Sequence, residues 1–366
     1  MVLQDGHIPT ALLCDSHEKI SDENQPQQHE RNKYMQNVVW DLSSNDMEVR
    51  LQAAREIRHL TKTSVRSRTY FAEAGAIAPL VCMLKLTSVE LREAALLALL
   101  NLAVRHERNK MRIIKAGAIT PLVELLNSEE RDLRDSATAV LLTLSAAEAN
   151  KKIIGSSGAI PLLVEMISLG SIQGKADAVI TLHNLSTHSE NRLQMLAANA
   201  GTALIVLLKG CKKSSKLAEK IMSLLEVLSK FEECRCSILT EAGGLLAIVE
   251  VLEEGSVEGR EYAVGALLTM CESDRHKYRE AILQEGAIPG LLELSVQGAA
   301  SAREKSKKLL GLLRDPLHGQ RSGSASPSGS PTLESIAYDI AARAANAGAG
   351  TEAAKTVLSA MVQLKR

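Results

Sequence analysis

The chain has 366 residues, balances 43 basic against 43 acidic side chains, and carries only two Phe, five Tyr and one Trp. A formal net charge of zero with so few rings argues against a dedicated nucleic-acid binder, which needs a basic excess for phosphates and aromatic faces for bases. The 45% hydrophobic content leans on Leu and Ala, a helix-forming bias, and six Cys in this length do not make a disulfide framework.

In chain order, residues 1–33 are polar, ending in SDENQPQQHERNK, and are expected to be disordered. Met1 to Ser16 holds no long apolar core, so no secretory signal is expected. No apolar run anywhere reaches the roughly 18 residues of a membrane-spanning helix. From residue 34 the chain repeats itself. AGAIAPLVCML (Ala74 to Leu84) returns as AGAITPLVELL (Ala116 to Leu126), SGAIPLLVEMI (Ser157 to Ile167), NAGTALIVLL (Asn199 to Leu208), AGGLLAIVEVL (Ala242 to Leu252) and EGAIPGLLEL (Glu285 to Leu294). The anchor glycines are Gly75, Gly117, Gly158, Gly201, Gly243 and Gly286, at spacings of 42, 41, 43, 42 and 43. Such a period marks stacked supersecondary units.

Each unit reads as three helices. A short one precedes the glycine, whose freedom at positive φ stops it. A second follows, with Pro in its first turn in several units, as at Pro121. The third and longest runs in one unit from Glu90 to Val104, with Leu91, Ala94, Ala95, Ala98 and Leu102 at helical spacing. Its end recurs as a second anchor: Asn101, Thr143, Asn184, Val227, Thr269 and Leu312, with His59 in an earlier REIRHL helix. About seven units therefore fill residues 34–314, the first lacking its opening helix. One unit cannot bury its apolar face alone; stacked units share a core. A Ser/Gly/Pro linker follows over 315–332. Ser326 and Ser330 each precede Pro, so the segment reads as a spacer or as a proline-directed phosphorylation site. Residues 333–366 form a tail, helical or disordered, that caps the last unit, binds a partner or stays disordered.

A 42-residue, three-helix period resembles the armadillo repeat. REIRHL followed by FAEAGAI, NLAVRHERNKMRIIKAGAI and GKADAVITLHNLS is similar to the armadillo arrays of plant U-box proteins, over roughly residues 36–314. The resemblance implies an all-α, right-handed solenoid whose third helices line a concave groove. The U-box itself is not expected here, since residues 1–33 are too short for it and carry no Cys-Pro-Ile-like opening. The chain then looks like a U-box-less branch of the family or a fragment.

By that resemblance a partner lies in the groove. Peptide-binding armadillo proteins use an Asn ladder, and an amide both donates to and accepts from a peptide backbone. Here the ladder reads His59, Asn101, Thr143, Asn184, Val227, Thr269, Leu312. One turn earlier, where nuclear-import adaptors carry Trp, stand Arg55, Leu97, Ala139, Ile180, Ser223, Gly265 and Lys308. The missing Trp array disfavours an import adaptor. Two turns earlier the column is Leu51, Glu93, Asp135, Ala176, Glu219, Glu261 and Glu304, beside Arg50, Arg92, Arg134, Lys175, Ala218, Arg260 and Arg303. These charges read as solvated pairs near helix starts or as a charged groove edge. The candidate groove residues are Asn101, Asn184, His183, His59, Arg55, Glu93, Thr143 and Thr269.

No catalytic constellation, metal set or cofactor motif is found. Cys234 and Cys236 form C-x-C without a second pair at zinc spacing, and Cys82 and Cys271 read as core residues. There is no H-E-x-x-H, Walker loop or G-x-S-x-G elbow. The expectation is a non-enzymatic scaffold that binds other proteins, as an extended peptide or helix, and no nucleic acid, membrane or small-molecule substrate. The resemblance places it in ubiquitin-linked plant signalling, in cytoplasm or nucleus. Its partners would be U-box ligases, receptor kinases or their substrates. The alternative is the substrate-binding component of a U-box ubiquitin ligase.

Overall fold

The computed structural model describes residues 25–314, and every regular element among them is a helix. The first unit is a pair, α1 (Gln25–Asp41) and α2 (Met47–Thr61). Six triplets follow. They are α3 (Val65–Glu73), α4 (Ile77–Met83) and α5 (Val89–Ala103), then α6 (Glu107–Lys115), α7 (Ile119–Leu126) and α8 (Arg131–Ser145). Next come α9 (Glu148–Gly155), α10 (Ala159–Leu169) and α11 (Ile172–Leu185), and α12 (Ser189–Ala197), α13 (Ala200–Lys209) and α14 (Lys216–Leu228). The last two are α15 (Glu232–Thr240), α16 (Gly244–Glu254) and α17 (Val257–Ser273), and α18 (Arg275–Gln284), α19 (Ile288–Gln297) and α20 (Ala300–Leu313).

The third helices α2, α5, α8, α11, α14, α17 and α20 pack side by side in one layer, and the second helices from α7 to α19 stack in another. The core lies between, filled by residues such as Leu80, Leu99, Leu122, Leu141, Leu163, Leu182, Leu204, Leu225, Leu267 and Leu291, all with no exposure. Sharing one core between neighbours is what lets each 42-residue unit bury its apolar faces.

Each joint has a local cause. Between first and second helices the chain turns through a left-handed residue: Gly75 (φ 93), Gly117 (φ 84), Gly158 (φ 85), Gly243 (φ 70) and Gly286 (φ 79). A Cβ at any of these five would meet nothing within 4 Å, so the requirement is backbone conformation and not space. In the remaining unit Asn199 takes the turn (φ 57), and Gly201 sits inside α13, its Cβ direction facing Ser237 at 3.2 Å. The glycine anchor is thus two residues out of register there. Asn tolerates the left-handed region better than other non-glycine residues, which is why it can stand in. Third helices begin on side-chain caps: Asp46, Ser88, Ser171, Ser215 and Ser256 each accept a first-turn amide.

The expectation of disorder up to residue 33 is corrected for residues 25–33, which are the first half of α1. Met35, Val38 and Val39 bury the second half. Tyr70 Oη donates to the Asn32 carbonyl at 2.8 Å and Arg31 Nη2 to Ser67 Oγ at 3.2 Å, which carries the helix back toward its start. The readings of residues 1–24 and 315–366, including Ser326, Ser330 and the tail, lie outside the described residues.

Candidate functional site

The third-helix layer buries one stripe of each helix and leaves another facing solvent. On α5 the buried residues are Leu91, Ala94, Ala95, Leu96, Ala98, Leu99, Leu102 and Ala103; Glu93 is exposed and Leu97 and Asn101 are half-buried. The same open positions on α2 are Arg55 and His59, both exposed. On α8 they include Asp135, Ala139 and Thr143, and on α11 Ala176, Ile180, His183 and Asn184, all half-buried. All eight candidate groove residues therefore lie on the solvent-facing side of this layer, spread along it and not gathered at one point.

Their bonding differs. Asn101 Nδ2 donates to the Arg58 carbonyl of α2 at 2.8 Å, and Asn184 Nδ2 to Ser145 Oγ of α8 at 3.1 Å. Each amide is held by the preceding unit, and its Oδ1 has no hydrogen bond among the described residues. Thr143 and Thr269 bond back to their own helices, to the Ala139 carbonyl at 3.1 Å and the Gly265 carbonyl at 2.9 Å. His183 Nε2 lies 2.9 Å from Ser223 Oγ on α14. Burial first, then the charges of Lys220 and Lys151, pull its pKa below the usual imidazole value, which favours the neutral ring. Arg55 sits near Glu90, whose carboxyl is held below its usual range by the Ser88 hydroxyl, its own amide and, more weakly, Arg55.

Three members of the basic row beside the acidic column are bonded within the fold. Arg92 Nε donates to the Leu86 carbonyl, Arg134 Nη1 to Ser128 at 2.6 Å and Glu129 at 2.9 Å, and Arg260 Nε to Leu252 at 2.8 Å. The Leu252 carbonyl lies in the last turn of α16, and those of Leu86, Ser128 and Glu129 lie in the loops after α4 and α7, so these arginines tie the chain between second and third helices to the third helix. In the acidic column Glu219 is likewise buried, bonded to Lys216 and Ser256 at 2.9 Å each.

A second Asn series escaped the sequence reading. Asn109, Asn150 and Asn191 stand third in α6, α9 and α12, each 2% exposed or less. Asn109 Nδ2 donates to the Leu102 carbonyl at 2.9 Å and across units to Arg68 at 3.1 Å; Asn191 Nδ2 donates to Leu185 at 3.0 Å and across to Lys151 at 3.2 Å; Asn150 Nδ2 donates to Leu144 at 3.0 Å. The signal was present as Asn-Lys, Asn-Lys and Asn-Arg at a 41-residue spacing. These amides tie third-helix ends to the next unit and belong to the framework. In α15 the same position is Cys234, 1% exposed, its thiol pushed up by burial to about 12.

Toward the C-terminus the face is occupied by the chain's own charges. Lys305 Nζ of α20 reaches past α17 to Glu226 Oε1 of α14 at 2.8 Å, and to Glu261 of α17 at 3.7 Å. The Glu226 carboxylate fills the space over Gly265, where a Cβ would stand 1.8 Å from Oε1. Lys308 pairs with Glu272, and Ser301 donates to Glu261 at 2.7 Å.

The described residues hold no cluster of His, Cys, Asp or Glu able to bind a metal ion. No single helix among them is long and apolar enough to cross a membrane. Cys271 is core, with burial raising its thiol to about 11, but Cys82 is exposed, which corrects its reading as a core residue. Cys82 lies on the side of the short helix α4 opposite the buried Leu80, Val81 and Met83.

Stacked three-helix units with left-handed joints and a continuous third-helix layer define an armadillo solenoid. An engineered protein of known structure superposes with a TM-score of 0.66 at 22% identity, covering 76% of this chain and 68% of that one. Computationally designed armadillo repeat proteins for modular peptide recognition superpose at 0.52 and 20% identity, over 76% and 99%. The model of the plant U-box protein ARM repeat region matches residues 10–169 and 168–322, and the chain belongs to that family. It is similar to U-box domain-containing protein 45 of Arabidopsis thaliana, 32% identical over 47% of this chain and 22% of that protein. U-box domain-containing protein 18 of the same plant is 26% identical over 78% and 42%. U-box domain-containing protein 1 of Medicago truncatula is 32% identical over 75% and 40%. The chain thus spans well under half the length of these relatives.

Proposed function

We propose that this chain is a non-enzymatic protein-interaction scaffold that holds a partner segment, an extended peptide or a helix, along its third-helix face. The observation that carries the reading is the state of the two Asn rungs. Asn101 and Asn184 are each held by the unit before, with an amide oxygen left over for a donor from outside. Between them Leu97, Ala139, Thr143 and Ile180 offer small and apolar contacts. Such a surface suits a polypeptide, with backbone groups for the amides and alternating side chains for the gaps. Kinship with U-box proteins supports a place in ubiquitin-linked plant signalling, in cytoplasm or nucleus. U-box ligases, receptor kinases and their substrates are the partners to look for.

The test is affinity capture from plant extract with the intact chain and with an Asn101→Ala/Asn184→Ala variant of matched melting temperature, read by mass spectrometry. Partners lost from the variant support recognition on this face; a partner set unchanged by the double substitution overturns it. The second reading is the substrate arm of a U-box ubiquitin ligase, favoured by the names of the relatives. Discharge of a ubiquitin-charged conjugating enzyme by the purified chain checks for intrinsic ligase activity, which a substrate arm by itself does not need. No discharge is the expected result for the scaffold.

A further inference from the structure

Five exposed cations and the exposed His59 lie on segments that meet at one edge of the N-terminal units. Arg58, His59 and Lys62 lie at the C-terminal end of α2, Arg66 in the first turn of α3, Arg105 just after α5 and Arg108 in the first turn of α6. One buried side chain binds the stretch together. Arg68 donates from Nε to the Thr61 carbonyl at 2.8 Å, from Nη2 to Lys62 at 2.9 Å and from Nη1 to Val104 at 3.0 Å, which places the ends of α2 and α5 side by side. Arg105 follows Val104 directly, and burial first, then the Arg105 charge, lowers the Arg68 pKa. The sequence has no acid between Ile57 and Ala72. Among the described residues none of the six side chains has an ion pair or hydrogen bond. Two flanking acids are engaged elsewhere, Glu107 with Lys110 at 2.9 Å and Glu56 with Tyr34 at 3.1 Å.

Ordinary helix electrostatics explains part of this. Cations at the end of α2 complement the helix dipole. Arg66 and Arg108 are the reverse, since they stand in first turns, where positive charge is disfavoured. Arg105 adopts φ 54, a left-handed conformation that Gly or Asn would hold with less strain. Three arginines thus sit where local energetics works against them, unlike the row of Arg92, Arg134 and Arg260, whose guanidinium groups bond main-chain carbonyls.

We infer that this edge docks an acidic, Asp/Glu-rich segment of a protein partner. Guanidinium forks pair with carboxylates through two parallel hydrogen bonds, and an unpaired cluster steers an anionic chain toward itself. The patch joins the third-helix face directly, because Asn101 bonds the Arg58 carbonyl and Arg55 lies one turn away on the same helix. The balanced net charge and scarcity of rings point away from nucleic acid. The inference does not depend on the groove reading, since this edge binds on charge alone.

The test is fluorescence anisotropy with the full chain and four labelled probes. They are an Asp/Glu-rich peptide, its Asn/Gln counterpart, a phosphoserine peptide of equal charge and a single-stranded RNA. The Arg58→Glu/Arg66→Glu/Arg108→Glu variant is expected to weaken the acidic peptide at least about tenfold. Arg105→Gly removes a guanidinium while relieving the φ, so it should weaken binding a few-fold with the melting temperature unchanged or raised. Added salt should weaken the parent complex and leave the triple variant flat. Asn184→Ala should bind the acidic peptide as the parent does. Equal binding by the triple variant and its parent overturns the inference. So does RNA or phosphopeptide binding tenfold tighter than the acidic peptide, which would assign the edge to another occupant. Loss of acidic-peptide binding in Asn184→Ala would also overturn it, by placing the peptide in the groove.

Discussion

The two ends of the third-helix layer are built on the same repeat and present opposite surfaces. From α2 to α11 several outward groups are left open: Asn101 and Asn184 keep an unused oxygen, Glu93 and His59 are exposed, and the arginines at the edge lack carboxylates among the described residues. From α14 to α20 the charges satisfy one another through Lys305, Glu226, Glu261, Lys308 and Glu272. The framework beneath differs in the same sense. Buried Asn amides at 109, 150 and 191 tie the earlier units, and Cys234 takes that position in α15. A repeat period fixes where helices go, and leaves which surface is available to individual substitutions at equivalent positions.

The largest expected effect separates those frameworks. Asn191→Ala strips two buried carbonyls, Leu185 and Lys151, of their donor, and should cost about 2–3 kcal/mol. Cys234→Ala removes a small, buried group with a weak S–H donor and should cost about 1 kcal/mol. Urea unfolding followed by far-UV circular dichroism measures both. Equal shifts would mean that the amide ties contribute nothing beyond packing.

The joints give the next effect. Gly117→Val forces a β-branched residue to φ 84 and should cost about 1–2 kcal/mol from conformation alone, since open space surrounds the Cβ position. Gly201→Ala has no such φ to satisfy and meets only Ser237 and Cys234 at 3.2 to 3.4 Å, so it should stay within about 0.5 kcal/mol of the parent. Reversed magnitudes in thermal unfolding would put Gly201 back among the anchors and remove Asn199 from the joint.

These cases show what the sequence could and could not carry. The period, the helix triplets and the outward position of Asn101 and Asn184 were legible because a 42-residue repeat projects local backbone rules onto six copies. Gly201 misled because a neighbouring Asn can replace a left-handed Gly, and string matching follows the letter and not the φ. The start of α1 was hidden because Gln, Glu, Arg and Lys suit disorder and helix equally, and only Tyr70 and Ser67, far along the chain, decide between them. Arg92, Arg134 and Arg260 read as a surface ladder because their partners are main-chain carbonyls, which no residue pattern displays. The Lys305–Glu226 contact spans two units, 79 residues apart, and neither residue departs from ordinary surface composition.

That contact supplies the last and smallest test. Lys305 and Glu226 side chains keep 28% and 23% of their exposure, so their attraction is partly screened and the pair should add no more than about 1 kcal/mol. Glu226→Gln should therefore lower the melting temperature only slightly, yet it should remove part of the salt dependence of stability, because the neutral amide no longer answers the ammonium. It should also free Lys305 to shift toward Glu261, already 3.7 Å away. Gly265→Ala makes the complementary cut. The added methyl takes the place of the Glu226 carboxylate and must push it aside, while leaving both charges intact. If the pair is what closes the C-terminal surface, both variants should expose α17 to hydrogen exchange in the same way, and the units from α2 to α11 should exchange as before. Increased exchange in those N-terminal units as well would mean that the two regions are one cooperative body, and that their difference is confined to the outermost side chains.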